Sequence, residues 1–299
     1  MPRLNMFVST VVGEIRKPTR RLSRVVGYAL SISLLTFIVK QIVQSEVWTE
    51  IEEIQLWWVF FFAVTQFPVS MVLLTAEIGL LGKILQTNVS LKEKIQISYA
   101  GSALNLLPIP GAFLTRTAYF LHQGKALRDV TKAYLLQGLS WIFISGAMSS
   151  LIISFTSVIG MFFLFGCVVM LCLITYRLAK LAVAPRTIAS LFFLESLFAL
   201  SAGFRFWLGF KTLGLDADFA ASIAMNSASA ISSAFGIFPG GIGIREVTAQ
   251  FLGSQAGVTS EAASISALAA RTWGLIGLFA YSSLYAVKKS VDRVRYRKP

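Results

Sequence analysis

From Val158 to Tyr176 the chain reads VIGMFFLFGCVVMLCLITY, a run without a single charge. About 20 helical residues cross the roughly 30 Å hydrocarbon core of a bilayer. An unpaired backbone N–H or C=O in lipid costs several kcal/mol, which restricts such a run to a helix. Five further apolar runs, near 25–43, 56–76, 133–156, 188–210 and 262–287, have helical length and few charges. The fold class this implies is all-α, a polytopic membrane protein with six full crossings. A chain that is 56% hydrophobic and only 14% charged has little polar material from which to build a soluble domain beside them.

The formal net charge of +13 invites a nucleic-acid reading, but its distribution argues against one. Ten of those charges fall in the tails, residues 1–24 with Arg3, Arg16, Lys17, Arg20, Arg21 and Arg24, and residues 288–299. A nucleic-acid footprint would cluster on a folded face. Basic flanks of transmembrane helices instead mark the cytoplasmic side. Both termini are therefore expected in the cytoplasm of a cell whose inner membrane holds the chain. The loop with Glu46, Glu50, Glu52 and Glu53 then lies outside, whereas those with Lys83, Lys92 and Lys94, with Lys125, Arg128 and Lys132, and with Arg177, Lys180 and Arg186 lie inside. TRRLSR before the first run faintly resembles a twin-arginine export signal, but no small-residue cleavage site follows Val43, so a retained anchor is expected.

Two segments remain, 98–121 between loops placed inside and 219–252 between loops placed outside. Each is expected to enter the membrane and return by the same face. Pro108, Pro110 and Gly111 in the first, and Pro239, Gly240, Gly241 and Gly243 in the second, supply the hinge of such a re-entrant hairpin. PGAFLTR (110–116) and PGGIGIR (239–245) share Pro-Gly and an arginine six residues beyond the proline, at an offset of 129. The same offset carries 25–43, 56–76 and 133–156 onto the remaining crossings. Three crossings per half is odd, so the second half is upside down relative to the first. The expected architecture is an inverted-topology repeat in one membrane domain, 25–287, with halves of about 25–156 and 157–287. Repeats of this kind place substrate near the midplane at their interface.

Charges inside apolar segments mark the candidate site. A central arginine or acid costs roughly 2.5–3.5 kcal/mol on insertion scales and usually faces protein or a wet cavity. The candidates are Arg116, Arg245, Glu246, Glu195 and Arg271, with Asn105 before the first tip. Arg205, near a helix end, is read as snorkelling, and Glu77 and Lys83 as residues at a helix end. One reading makes the buried charges an ion-pair network holding the halves together. The other has Arg116, Arg245 and Arg271 receive an anionic head group, for which the guanidinium fork suits phosphate. Asn105 and Asn226 are read as caps of broken backbone.

Other chemistry is poorly represented. His122 is the only histidine and Cys167 and Cys172 share one apolar run, so no metal site is expected. GGIGIRE lacks the third glycine of a dinucleotide loop, and no GKS or GKT occurs, so no cofactor is expected either. Asp216 and Asp218 are the only close aspartates, read as a solvated loop. WWVFFF (57–62) reads as an interfacial belt running into the core.

At FPGGIGIRE (238–246), NLLPIPGAFLTR (105–116) and ALAARTW (267–273) the chain resembles the flippase-like membrane protein family that includes the transmembrane region of lysylphosphatidylglycerol synthases. The resemblance spans roughly residues 25–287. It departs from the family pattern at Ala112 and Phe113, where an acid usually follows the first glycine. It implies movement of lipids or lipid-linked intermediates across the cytoplasmic membrane in envelope biogenesis. The implied partners are membrane lipids, lipid-linked glycans and envelope-biosynthesis enzymes, with no nucleic acid. The chain ends at Pro299, which leaves no room for the synthases' aminoacyl transferase domain, so lysine transfer is not expected. Two alternatives stand beside transport: a membrane enzyme acting on lipid-linked sugars, and a non-transporting partner in envelope assembly.

Overall fold

The computed structural model describes residues 54–104, 111–155, 157–234 and 243–295, together with 33, 36 and 40; for 103, 104, 111, 234 and 278–295 it describes the backbone alone. The basic segment 1–24 and nearly all of the first expected crossing lie outside these, as do Asn105, Pro108, Pro110, Pro239, Gly240 and Gly241.

All regular structure among the described residues is α-helical. Four expected crossings coincide with long apolar helices: α1 (Leu56–Ile84), α4 (Leu127–Ser154), α5 (Val158–Lys180) and α6 (Pro185–Thr212). Between α1 and α4 lie α2 (Leu91–Leu104) and α3 (Gly111–His122), and after α6 come α7 (Phe219–Ala224), α8 (Ser227–Ala234), α9 (Ile244–Gln255) and α10 (Ser260–Arg295). The last expected crossing, 262–287, falls inside α10. That helix continues through the basic segment to Arg295, and α1 likewise runs eight residues past its apolar stretch, to Ile84. Apolar length reports the lipid-facing part of a helix, and the hydrogen-bonded ladder does not stop where lipid does.

Local sequence fixes several helix starts. Ser90 and Glu93 form a capping box at α2, with Glu93 Oε2 accepting from Ser90 N at 2.9 Å and from Ser90 Oγ at 2.7 Å. Ser157 Oγ accepts from Ile159 N at the start of α5, and Pro185 opens α6 with its preset φ.

At 14 and 12 residues, α2 and α3 are about 21 and 18 Å long, too short to cross a bilayer; α7, α8 and α9 are no longer. The α2 and α3 limbs pack closely, and a Cβ on Gly101 would lie 3.0 Å from Ala112 Cα. The second hairpin differs in having its first limb broken at Met225–Asn226, between α7 and α8, a break that α2 lacks.

Helices α1 and α6 form the centre. Gln55 N donates to Thr212 O at 2.9 Å, which sets the start of α1 against the end of α6, so the two run antiparallel. At that end Trp58 packs edge-on to Trp207, and Phe61 to Phe204, while Trp57 and Phe60 stay exposed as a belt. At the other end Leu73 and Leu80 pack with Ile188, Leu191 and Leu194. Helix α5 packs mainly on α4 and leaves Phe162, Phe163 and Phe165 exposed.

Candidate functional site

The buried charges fall into two clusters, one around Arg116 and one around Arg245. In the first, α3 carries Arg116 into the interior at 6% exposure, where its Nη2 donates to Glu77 Oε2 at 2.6 Å. Gln137 Nε2 on α4 donates to the other oxygen, Glu77 Oε1, at 2.5 Å. Glu77 is thus the counter-ion of Arg116 and not a helix-end residue: the helix continues to Ile84 and holds it inside the bundle. Glu195, 2% exposed on α6, belongs here too, against Gln137 and within electrostatic reach of Glu77 and Arg116. Which face of α6 meets which neighbour is set by helix packing, which spacing along one chain does not reveal.

The second cluster is built on the first turn of α9. Gly243 precedes it at φ +85°, a conformation that glycine adopts without the Cβ clash other residues incur. Its N–H donates to Glu246 Oε2 at 2.7 Å, and Arg271 Nη1 on α10 donates to Glu246 Oε1 at 3.1 Å. Glu246 is fully buried, with both oxygens engaged. Arg245, one residue earlier, points about 100° away round the helix. Its guanidinium lies over the Phe206 ring, 4.9 Å from the centroid, at 8% exposure. Its Nε and Nη2 have no hydrogen-bond partner.

Like charges surround this group. Arg205 and Arg271 both act on Arg245, against the single acid Glu246. Arg205 is anchored inside, its Nη2 donating to Ser70 Oγ on α1 at 3.3 Å, and does not snorkel to a surface. Three arginines and one carboxylate make this a positive site at the N-terminus of a helix, where backbone N–H groups add to the positive potential.

Asn226 sits at the α7–α8 break, away from the hairpin tip. Its Nδ2 donates to Ile223 O at 2.6 Å and to Ser149 Oγ on α4 at 3.1 Å, and Ser149 Oγ also meets Ser227 Oγ at 2.9 Å. Besides closing its own turn, it joins the second hairpin to the first half. The backbone of Gly111 opens α3; Asn105 and the remaining hinge residues lie outside the described residues. His122 is exposed, and Asp216, 97% exposed, binds Lys211 at 2.6 Å, which holds its carboxyl below the usual range.

These features define a multi-pass helical membrane protein in which Arg116 and Arg271 are paired with acids between the helices, whereas Arg245 is not. A family profile described as lysylphosphatidylglycerol synthase TM region matches residues 24–281, and the chain belongs to that family of membrane proteins, which is concerned with lipid handling. Comparison with curated proteins finds no match.

Proposed function

We propose that the protein translocates an amphiphile with an anionic head group, a phospholipid or a polyprenyl-linked sugar, across the cytoplasmic membrane. The observation that carries this reading is Arg245, a guanidinium more than nine-tenths buried with two nitrogens unpartnered and, among the described residues, no counter-ion of its own. A buried charge left without a partner is strongly destabilising, and a ligand anion would relieve it. The bidentate donors fit a phosphate.

The inverted repeat supports the transport half of the reading. Adding 129 to the bounds of α1 gives 185–213, against α6 at 185–212, and adding it to α2 gives 220–233, against α7 and α8 together at 219–234. The equivalent helices α1 and α6 run antiparallel, as two halves inserted in opposite senses require. Alternating access then consists of one half rocking against the other around a midplane site. Arg116 and Arg271, already paired with acids, hold the scaffold in this scheme, and Arg245 takes the head group.

Reconstituted vesicles carrying labelled anionic phospholipid test it. Arg245→Ala is expected to abolish translocation in a protein that still folds, and Arg245→Lys to retain part of it. An Arg245→Ala protein as fast as wild type would sink the proposal. The topology is checked separately: cysteines at Lys92 and Lys125 should label only from the cytoplasm, and those at Asp216 and Thr259 only from outside. Opposite-side labelling within either pair would remove the re-entrant hairpin.

A further inference from the structure

The cluster around Arg116 has the opposite charge balance. Glu77 is saturated, one oxygen by Arg116 Nη2 and the other by Gln137 Nε2. Glu195 adds a second carboxylate to a single guanidinium, at 2% exposure. Among the described residues its Oε1 has no donor, and neither does Oε1 of Gln137, which is 3% exposed. The bond from Gln137 Nε2 to Glu77 fixes which way that amide faces, so its oxygen is left to accept. Two buried acceptor oxygens and one surplus negative charge call for a small cation in place of a further acceptor.

We infer that Glu195 and Gln137 form a monovalent-cation site, for a proton or a sodium ion, whose occupancy is coupled to the movement of the anionic lipid. The coupling rests on the transport reading; the site itself does not. One surplus charge matches one positive charge, and among the described residues no cluster of three histidine, cysteine or acidic side chains exists to hold a divalent metal. A proton would add to Glu195 Oε1 and neutralise it; a sodium ion would take the same oxygen as a ligand.

Among the described residues, the ionisable groups facing this site are few. Helix α1 brings Glu77, α3 brings Arg116, and Tyr134 on α4 stands beside Arg116. The other helices that touch α6, namely α5, α7, α8 and α10, bring none that acts on Glu195. The site is also not repeated: the residue 129 positions before Glu195 is Gln66, which carries no charge. A positive site around Arg245 and a cation-seeking site around Glu195 give the molecule a means of tying lipid movement to an ion gradient.

The test uses the purified full chain in detergent, without lipid cargo, melted in choline chloride or in sodium chloride at equal ionic strength, from mildly acid to mildly alkaline pH. The wild-type melting temperature is expected to rise by about 3 °C for each tenfold increase in the bound cation. A sodium site responds to sodium; a proton site responds to pH and ignores sodium. Glu195→Gln has no charge to balance, so it should melt at or above wild type and lose the response. As a second readout, the acid-minus-alkaline infrared spectrum of wild type should contain a protonated-carboxyl band, absent from Glu195→Gln, if the cation is a proton. A wild type indifferent to both cations, or a Glu195→Gln protein that keeps the full response, overturns the site. In vesicles, a gradient of the same cation should accelerate lipid movement by wild type and not by Glu195→Gln. A wild type that binds the cation yet moves no lipid would retain the site and overturn the transport reading.

Discussion

Arg116 and Arg245 lie 129 positions apart, each six residues beyond the proline of a Pro-Gly, yet meet opposite surroundings. Position 77 on α1 is a glutamate that binds Arg116 at 2.6 Å; the equivalent position on α6 is Phe206, whose ring lies under Arg245. Position 117 is a threonine with an unpartnered hydroxyl; its equivalent, Glu246, binds Arg271 and the Gly243 N–H. The charge pattern is thus not repeated at the 129-residue offset. The first half neutralises its arginine internally, whereas the second spends its acid on a neighbour and leaves the arginine for something else.

That contrast can be broken in graded steps. The largest effect is expected from Glu246→Gln, which strands Arg271 in the interior and should lower stability by about 3–5 kcal/mol. Adding Arg271→Gln should recover most of the loss in thermal melts. Glu77→Gln strands Arg116 in the same way, but the Glu77 side chain is 16% exposed, so about 2–3 kcal/mol is expected, with recovery on adding Arg116→Gln. Phe206→Glu sharpens the comparison by giving Arg245 the counter-ion that Arg116 already has. A charge-assisted bond of about 1.5–3 kcal/mol must then be displaced by the lipid head group, so translocation should fall roughly 10- to 100-fold while stability holds. Unchanged transport would show that Arg245 does not need to be free.

Smaller effects test the frame. Gly243→Ala places a Cβ at φ +85° and should destabilise by about 1–2 kcal/mol without touching either ion pair. Asp216→Asn should leave the melting temperature unchanged. The depressed Asp216 carboxyl contributes stability above its ordinary range that is lost as pH falls, but the group is exposed and solvent screens it.

Much of this was legible in the chain. Apolar length located α1, α4, α5 and α6, because lipid demands an uninterrupted run. Proline, glycine and charge placement located the two short-limbed hairpins. The motif Arg-Glu picked out Arg245 and Glu246, and the structure brings Arg271 to them. The partner of Arg116 was hidden because Glu77 lies past the end of its apolar run, and hydropathy has no term for a helix that continues beyond it. The offset that paired Arg116 with Arg245 also pairs Glu77 with Phe206, and this was the signal available for finding it. Glu195 and Arg205 were misplaced for another reason. Both lie on α6, which faces both halves, and only packing decides that Glu195 turns to the first cluster and Arg205 to the second.

Helix α5 has a consequence for how the chain is assembled in the cell. Its buried residues are only Gly160, Cys167, Ile174 and Leu178, so nearly its whole circumference is suited to lipid. Such a segment can leave the translocon and partition alone as soon as it is synthesised, before any partner exists. The limbs α7, α8 and α9 have no such freedom, being too short to span and carrying Asn226, Arg245 and Glu246. They must wait for α10 to emerge, since Glu246 finds Arg271 only there. The order of synthesis therefore leaves the Arg245 cluster among the last parts of the molecule to form, inside a frame that earlier helices have already set.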